Sequence, residues 1–374
     1  MSGPDGGRIG RQETAFLLGI PLYINAVFTL ESGYAYAKGN SSYIWVPLAV
    51  LLSLGLFLLV AAAMGRAGAG SLGQLYEMGL GRTGGRALMA ALAALLLVTG
   101  VVAVMRFISM LYSYVYIQSA HSSITLWVVG TVLVLALWGI ETISRLSKLL
   151  GCILIAVVLV SLLAPMESYQ TYRLYPMPGN TPGEIALYTL RHTFVLLPAL
   201  LAGLCITQTE HGLKFMRVSG CVGACTAALL AFFTQLAVSL TYDYKELTAM
   251  YSPLYRLDMA MLREGYFFRL DKVALFLWLV GELIAAAFFL FSAARIASRE
   301  LGLKNTRPAV AAFTALLGCL LFFEHGGGYE QVEAAEEWLN LNGCLFLPPF
   351  LLVAGLGALR GAAKRKKEAN HETA

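Results

Sequence analysis

Residues 273–294 read VALFLWLVGELIAAAFFLFSAA, an apolar run with one ionisable side chain, Glu282, near its middle. A hydrocarbon core of about 30 Å is crossed by about 20 apolar residues in an α-helix, so this run is predicted to span a membrane. The carboxylate stands too far from either end of the run to snorkel to water. An ionisable group at membrane depth is costly and marks function by default. Three roles are open to Glu282: a proton-coupling group, a ligand for an ammonium, or a structural partner for a cation.

Nine more apolar stretches lie outward of it, at roughly 13–36, 43–64, 88–117, 122–141, 149–165, 186–207, 218–240, 308–323 and 342–359. The fifth and ninth are the shortest. Only 13% of the 374 residues are charged and 58% are hydrophobic, against about a quarter and about half in soluble domains. There is thus little water-facing surface. Alternating ten-residue strands are absent, which excludes a β-barrel. Of the 27 lysines and arginines, 18 fall on the two tails and the even-numbered connections and six on the odd-numbered ones. By the positive-inside rule both termini are cytoplasmic and the number of crossings is even. The expected organisation is a cytoplasmic tail 1–12, one transmembrane domain 13–360 in halves 13–165 and 186–360, and a basic tail 361–374. No cleavable signal precedes the first span, because residues 1–12 are polar and the apolar stretch after them is too long for a signal core.

The basic run Arg360–Lys367 is expected to lie against anionic membrane lipid, and no basic domain accompanies it to suggest nucleic acid. Cys221 and Cys225 share a helix face but have no histidine or carboxylate beside them. The six cysteines therefore read as small buried hydrophobes, with no metal and no cofactor. There is no phosphate loop, nucleophile elbow or metal pattern, so an enzyme is not expected.

Four connections are long. The segment 65–86 is Gly-rich and basic, and 166–185 carries Pro176, Pro178 and Pro182 and is expected to be extended. This second one separates five spans from five. An odd count on each side makes the halves opposite in topology, the arrangement of an inverted repeat. The segment 241–272 is expected to form a short helix on the outer membrane face through Leu254, Leu257, Met261 and Leu262. The segment 324–341 holds Glu324, Glu330, Glu333, Glu336 and Glu337 without a lysine or arginine. Five carboxylates could gather a divalent ion, but the expected structure is a short amphipathic helix with those carboxylates solvated and Val332, Ala335 and Trp338 turned down.

Folds of this kind bind solutes at the midplane, where matching spans of the two halves break. Span one has Gly19-Ile20-Pro21 and then Asn25, and span six has Leu197-Pro198-Ala199 with Gly203 beyond. Proline deletes one helical hydrogen bond, and half-helix N-termini at such breaks suit a carboxylate. The alternative is an ordinary proline kink in each span. The expected ligand site comprises Tyr23, Asn25, Ala26 and Phe28 from span one, Leu197, Pro198 and Ala199 from span six, and Trp278 from span eight. Glu282 and Arg106 are a candidate proton-coupling group or ion pair, although Arg106 could equally reach headgroups at the outer boundary. Arg191, His192, Glu31 and Glu141 lie near span ends and read as interface residues.

Several ordered pieces resemble the bacterial spore germination permease family, the B subunits of nutrient germinant receptors. They are Tyr251-Ser252-Pro253-Leu254-Tyr255-Arg256 through Phe268-Arg269-Leu270-Asp271 with Trp278, Leu72-Gly73-Gln74-Leu75-Tyr76 through Gly81-Arg82-Thr83-Gly84, Arg106-Phe107, Gly139 to Arg145, and Tyr175-Pro176 with Pro182-Gly183-Glu184. That family belongs with the amino acid/polyamine/organocation permeases. The resemblance implies an all-α membrane protein of ten spans in a five-plus-five inverted repeat (LeuT/APC-like). It further implies a small nutrient ligand, an amino acid, and partner subunits, one a large membrane protein and one a lipoprotein, in the spore inner membrane. Two family features are replaced at the expected site: a Gly-x-Gly in span one by Ile24-Asn25-Ala26-Val27-Phe28, and a Gly-aromatic-Glu in span six by Leu197-Pro198-Ala199-Leu200. The fourth span also lacks the family's opening Thr-Pro. A proton-coupled amino acid transporter acting alone, or an assembly subunit with a vestigial pocket, fits the same sequence.

Overall fold

The computed structural model describes residues 9–28, 39–116, 120–163, 165–205, 212–248, 257, 270–323 and 329–372. Among them are ten long helices: α1 Arg11–Phe28, α2 Ser42–Ala67, α3 Leu72–Tyr114, α4 His121–Trp138, α5 Ile140–Leu163, α6 Pro182–Cys205, α7 Gly212–Thr241, α8 Leu270–Glu300, α9 Arg307–Phe323 and α10 Tyr329–Glu372. Eight are long and apolar enough to cross a membrane; α9, at 17 residues, is too short, and α1, which opens on Arg11, Gln12 and Glu13, is not apolar enough over its 18 described residues.

Burial sorts these helices into an interior and a rim. In the most apolar window of α8, 78% of residues are buried, against 28% in α4 and in α5. Helices hydrophobic all round belong either inside or against lipid, so α8 is central and α4 and α5 face the acyl chains. In α1 every residue from Ile20 to Phe28 is buried, and in α6 every residue from His192 to Leu204.

The packing partners map onto one another when α1–α5 are exchanged for α6–α10. Helix α1 packs on α7 as α6 does on α2, α1 on α5 as α6 on α10, and α1 on α8 as α6 on α3. Helices α3 and α8, α2 and α7, and α4 and α9 pack as pairs. Two structurally equivalent halves would produce this pattern.

Several boundaries differ from the sequence expectation. The fifth helix begins at Ile140, directly after the left-handed Gly139 (φ 87°), so Arg145 and Lys148 ride on its first turns. In the 65–86 connection, Gly68 caps α2 at φ 70° and the Ser71 side chain caps α3 by accepting from the Gln74 amide. Gly81 (φ 78°, ψ 174°) then bends α3 between a short first helix and the span proper. The segment 166–185 is mostly irregular, as its prolines require, with two short 3-10 turns. It is stitched to α2 by Asn40 Nδ2 donating to the Arg173 carbonyl and Ser41 Oγ donating to Asn180 Oδ1.

The expected separate helix over 324–341 is corrected. From Tyr329 it is continuous with the last span as α10. Val332 is buried as expected, but Trp338 is half exposed and Glu336 takes the inward position. The surface helix expected around Leu254–Leu262 and the interface residue Glu31 lie outside the described residues, apart from a buried Leu257.

Without a hydrophobic drive between helices in lipid, close approach of small residues supplies the packing. A Cβ on Gly223 would stand 2.5 Å from the Ala15 carbonyl, and one on Gly19 would stand 3.2 Å from the Gly223 carbonyl. Gly223→Leu is therefore expected to push α7 off α1 and to cost about 1–3 kcal/mol or more by overpacking. Gly355→Leu, on a surface with open space, serves as control. Thermal unfolding in detergent checks this, and equal midpoints for the two variants would refute the α1–α7 contact.

Candidate functional site

Four polar side chains from four helices meet in the interior: Asn25 on α1, Arg106 on α3, Glu282 on α8 and Glu336 on α10. All are at most 4% exposed. Arg106 Nη2 donates to Asn25 Oδ1 and, at 3.5 Å, to Glu282 Oε2, while Nη1 donates to Glu336 Oε1 at 3.2 Å. Arg106 Nε approaches Glu282 Oε1 at 3.1 Å, close enough for an ion pair but not aligned as a hydrogen bond. Arginine's planar fork is suited to engaging several acceptors at once.

Arg106 therefore does not reach headgroups. At membrane depth a guanidinium with a choice of partners takes the carboxylates, because leaving either charge unpaired would cost several kcal/mol. Glu336 likewise leaves the solvated face expected for it. Sequence reasoning missed Glu336 although a signal existed: Val332, Leu339 and Asn340, at spacings of four, three and four from it, are all buried, which defines an inward stripe through Glu336.

Counted over the described residues, and with both carboxylates ionised, this cluster carries two negative charges against one positive. A buried site with such an imbalance calls for a proton or a cationic group.

An aromatic wall adjoins it. Trp278 lies one helical turn before Glu282, so both project from one face of α8. The Tyr23 ring stacks on Trp278 (5.4 Å between centroids, 30°) and Phe28 meets it edge-on (5.3 Å, 79°). Tyr23 is held by a 3.1 Å hydrogen bond between its hydroxyl and that of Thr234 on α7. The Trp278 indole N–H is buried and has no hydrogen-bond partner among the described residues. Tyr23 also ends a cleft of about 600 Å³ between α1, α5 and α7 whose other end holds Arg11 and Lys148.

The structure thus brings Tyr23, Asn25, Phe28 and Trp278 together with Arg106 and Glu282. Ala26 is buried in α1 and its backbone hydrogen-bonds with His192. His192 is buried edge-on against Trp45 at 5.4 Å rather than lying at an interface. Leu197, Pro198 and Ala199 are buried in α6, and among the described residues no polar contact ties them to the Arg106 cluster. Nor do the prolines break their helices: α1 continues through Pro21 to Phe28 and α6 through Pro198 to Cys205. A proline removes one donor without forcing the remaining backbone out of the helix, so no half-helix N-terminus forms at either proline. Glu141 is half exposed and paired with Arg145, as an interface residue would be.

The fold is shared with solved membrane transporters. A nucleobase-cation-symport-1 family transporter, in a closed conformation with bromovinylhydantoin bound, matches with TM-score 0.63 at 13% identity, over 90% of this chain and 75% of that one. A Na+-coupled sialic acid symporter in a substrate-bound outward-open state gives 0.65 at 9% identity, over 96% and 89%. The Eremococcus coleocola manganese transporter gives 0.57 at 15% identity, over 96% and 82%. No curated protein matches the chain. The family described as spore germination protein matches residues 14–325, and with most of its length covered, on a permease fold, the chain belongs to that family.

Proposed function

We propose that this protein is the membrane-embedded, ligand-binding subunit of a nutrient germinant receptor in the spore inner membrane. In this reading ten helices cross in a five-plus-five inverted repeat with both termini cytoplasmic. A large membrane subunit and a lipoprotein are its partners. The exchange symmetry of the helix contacts supports the repeat. The ligand is a small nutrient, an amino acid, held between spans one and six against span eight.

The observation that carries this reading is the juxtaposition of the buried Arg106 cluster with the Tyr23–Trp278–Phe28 wall. The aromatic rings take the nutrient side chain. The surplus carboxylate of the Glu282–Glu336 pair takes its ammonium. The Trp278 indole N–H, a buried donor without an acceptor among the described residues, serves its carboxylate in place of the half-helix N-termini expected from sequence.

Trp278→Phe keeps an aromatic ring and deletes that donor. A hydrogen bond to a charged acceptor contributes about 1.5–3 kcal/mol, so the nutrient concentration for half-maximal germination is expected to rise roughly tenfold or more. Phe28→Ala is expected to shift it in the same direction. Spores carrying either variant at wild-type protein level with unchanged nutrient dose–response would refute the site.

The surplus negative charge also favours a second reading, a proton-coupled amino acid transporter acting alone. A zwitterionic ligand adds no net charge, so a proton would still be needed to balance the cluster. Uptake into liposomes driven by a pH gradient and abolished by Glu282→Gln would establish it, and absence of flux under every gradient would end it.

Both readings require the cluster to be intact. Arg106→Met strands two buried carboxylates and is expected to cost about 3–5 kcal/mol, seen as loss of folded protein from the membrane. Adding Glu282→Gln and Glu336→Gln to Arg106→Met is expected to restore part of that loss, because the groups act as one unit. Strictly additive damage would show that Arg106 does not hold these carboxylates.

A further inference from the structure

At the end of α8 that the alternation of basic connections assigns to the cytoplasm lies a further cavity, of about 360 Å³, floored in part by Met89, Ile296 and Leu303. Arg295, Ser298, Arg299, Lys304, Thr306 and Cys205 line it. Among the described residues that line it three are cations and none is a carboxylate. Glu300, the neighbour of Arg299, is engaged with Arg86 at 3.6 Å. Arg299 is fixed by a 2.9 Å hydrogen bond from Nη2 to Ser71 Oγ, a neutral acceptor that does not compensate its charge.

Cations near a helix C-terminus can simply answer the dipole. Here the terminal carbonyls are already used. Gly302, at φ 68°, turns the chain so that its amide donates to the Arg299 carbonyl and the Leu303 amide to the Ser298 carbonyl. This closing turn folds Lys304 back toward the cavity. Ser298 is 3% exposed, and its hydroxyl has no hydrogen-bond partner among the described residues although it lines this space. Thr306 stands immediately before the first residue of α9, whose Arg307 amide donates to Asn305 Oδ1 and whose Pro308 has no N–H, so this 17-residue helix brings the positive end of its dipole here rather than a set of free amides. Three cations, an unsatisfied hydroxyl and a helix N-terminus are the complement of a compact oxyanion.

We propose that this cavity is a binding site for a phosphate group, presented by an anionic lipid headgroup or by a soluble phosphate at the cytoplasmic face. Both sources offer the same tetrahedral oxyanion to Arg295, Arg299, Lys304 and Ser298. It is separate from the Arg106 cluster and does not depend on what that cluster binds.

The test uses the full-length protein in maltoside micelles, which contain no phosphate. Inorganic phosphate is added in one arm and phosphatidylglycerol in the other, with neutral diacylglycerol as the lipid control, and thermal unfolding and equilibrium binding are read. A stabilising, saturable effect of inorganic phosphate alone identifies a soluble ligand. An effect of phosphatidylglycerol alone identifies a headgroup, and an effect of both identifies a site that accepts either. In each case Lys304→Gln is expected to weaken binding about tenfold and Ser298→Ala about threefold. Lys304 is exposed and Ser298→Ala adds no volume, so both variants are expected to unfold with the wild type when no phosphate is present. No effect of either probe on the wild type, or an equal effect on wild type and both variants, would overturn the proposal.

Discussion

A single guanidinium, buried between two carboxylates and an amide, fixes how four helices of this protein must sit. Arg106 joins α1, α3, α8 and α10, two helices from each half of the chain. In water such a contact would be worth little. At membrane depth the comparison is with an unpaired charge in hydrocarbon, so sliding any of the four helices along its neighbours would strand a charge. The contact thereby sets register, which apolar packing against lipid-like side chains specifies poorly. The tight crossing of α1 and α7 at Gly19 and Gly223 complements it, because close backbone approach tolerates no shift either.

How legible each element is in the sequence depends on the physical signal it emits. Long apolar runs and the alternation of basic connections are strong, one-dimensional signals. The membrane class and most of the long helices could be read from them. Glu282 stood out because a charge in an apolar run needs a reason. Its partner Glu336 did not, because it lies among four other glutamates in a segment that looks water-facing. Only the continuity of α10 carries it inward. Helix ends were less legible: α5 begins well before its apolar stretch, since Glu141 and Arg145 satisfy each other on its first turns.

The prolines illustrate the limit of a local rule. Pro21 and Pro198 each delete a hydrogen bond, which made a break in span one and in span six a fair expectation. Neither helix unwinds at its proline. Each is enclosed by neighbouring helices, and enclosure holds the backbone in the one conformation that satisfies its remaining donors. The polar groups that an unwound helix would have supplied come here from side chains instead: Asn25, Arg106, Glu282, Glu336 and the indole of Trp278. Asn25 was legible as a site residue from its place in span one and Trp278 through the family resemblance, whereas the convergence of all five required the fold.

Helix α8 carries both of the chemically unusual places in the molecule. Trp278 and Glu282 stand at its middle. Arg295, Ser298 and Arg299 stand in its last turns, about 24 Å away from Glu282 to Ser298 at about 1.5 Å per residue. No proline interrupts the stretch between them, and in its most apolar window 78% of the residues are buried, so the segment moves as a rod or not at all. The middle of the rod is held by Arg106 to α3, and its end by Arg299 to the cap of the same α3 at Ser71. A change of charge at the Arg106 cluster therefore acts on a helix pair that is clamped at its far end as well. Between these two contacts α3 bends at Gly81, so α8 is tied at its middle to the span proper and at its end to the short helix before the bend.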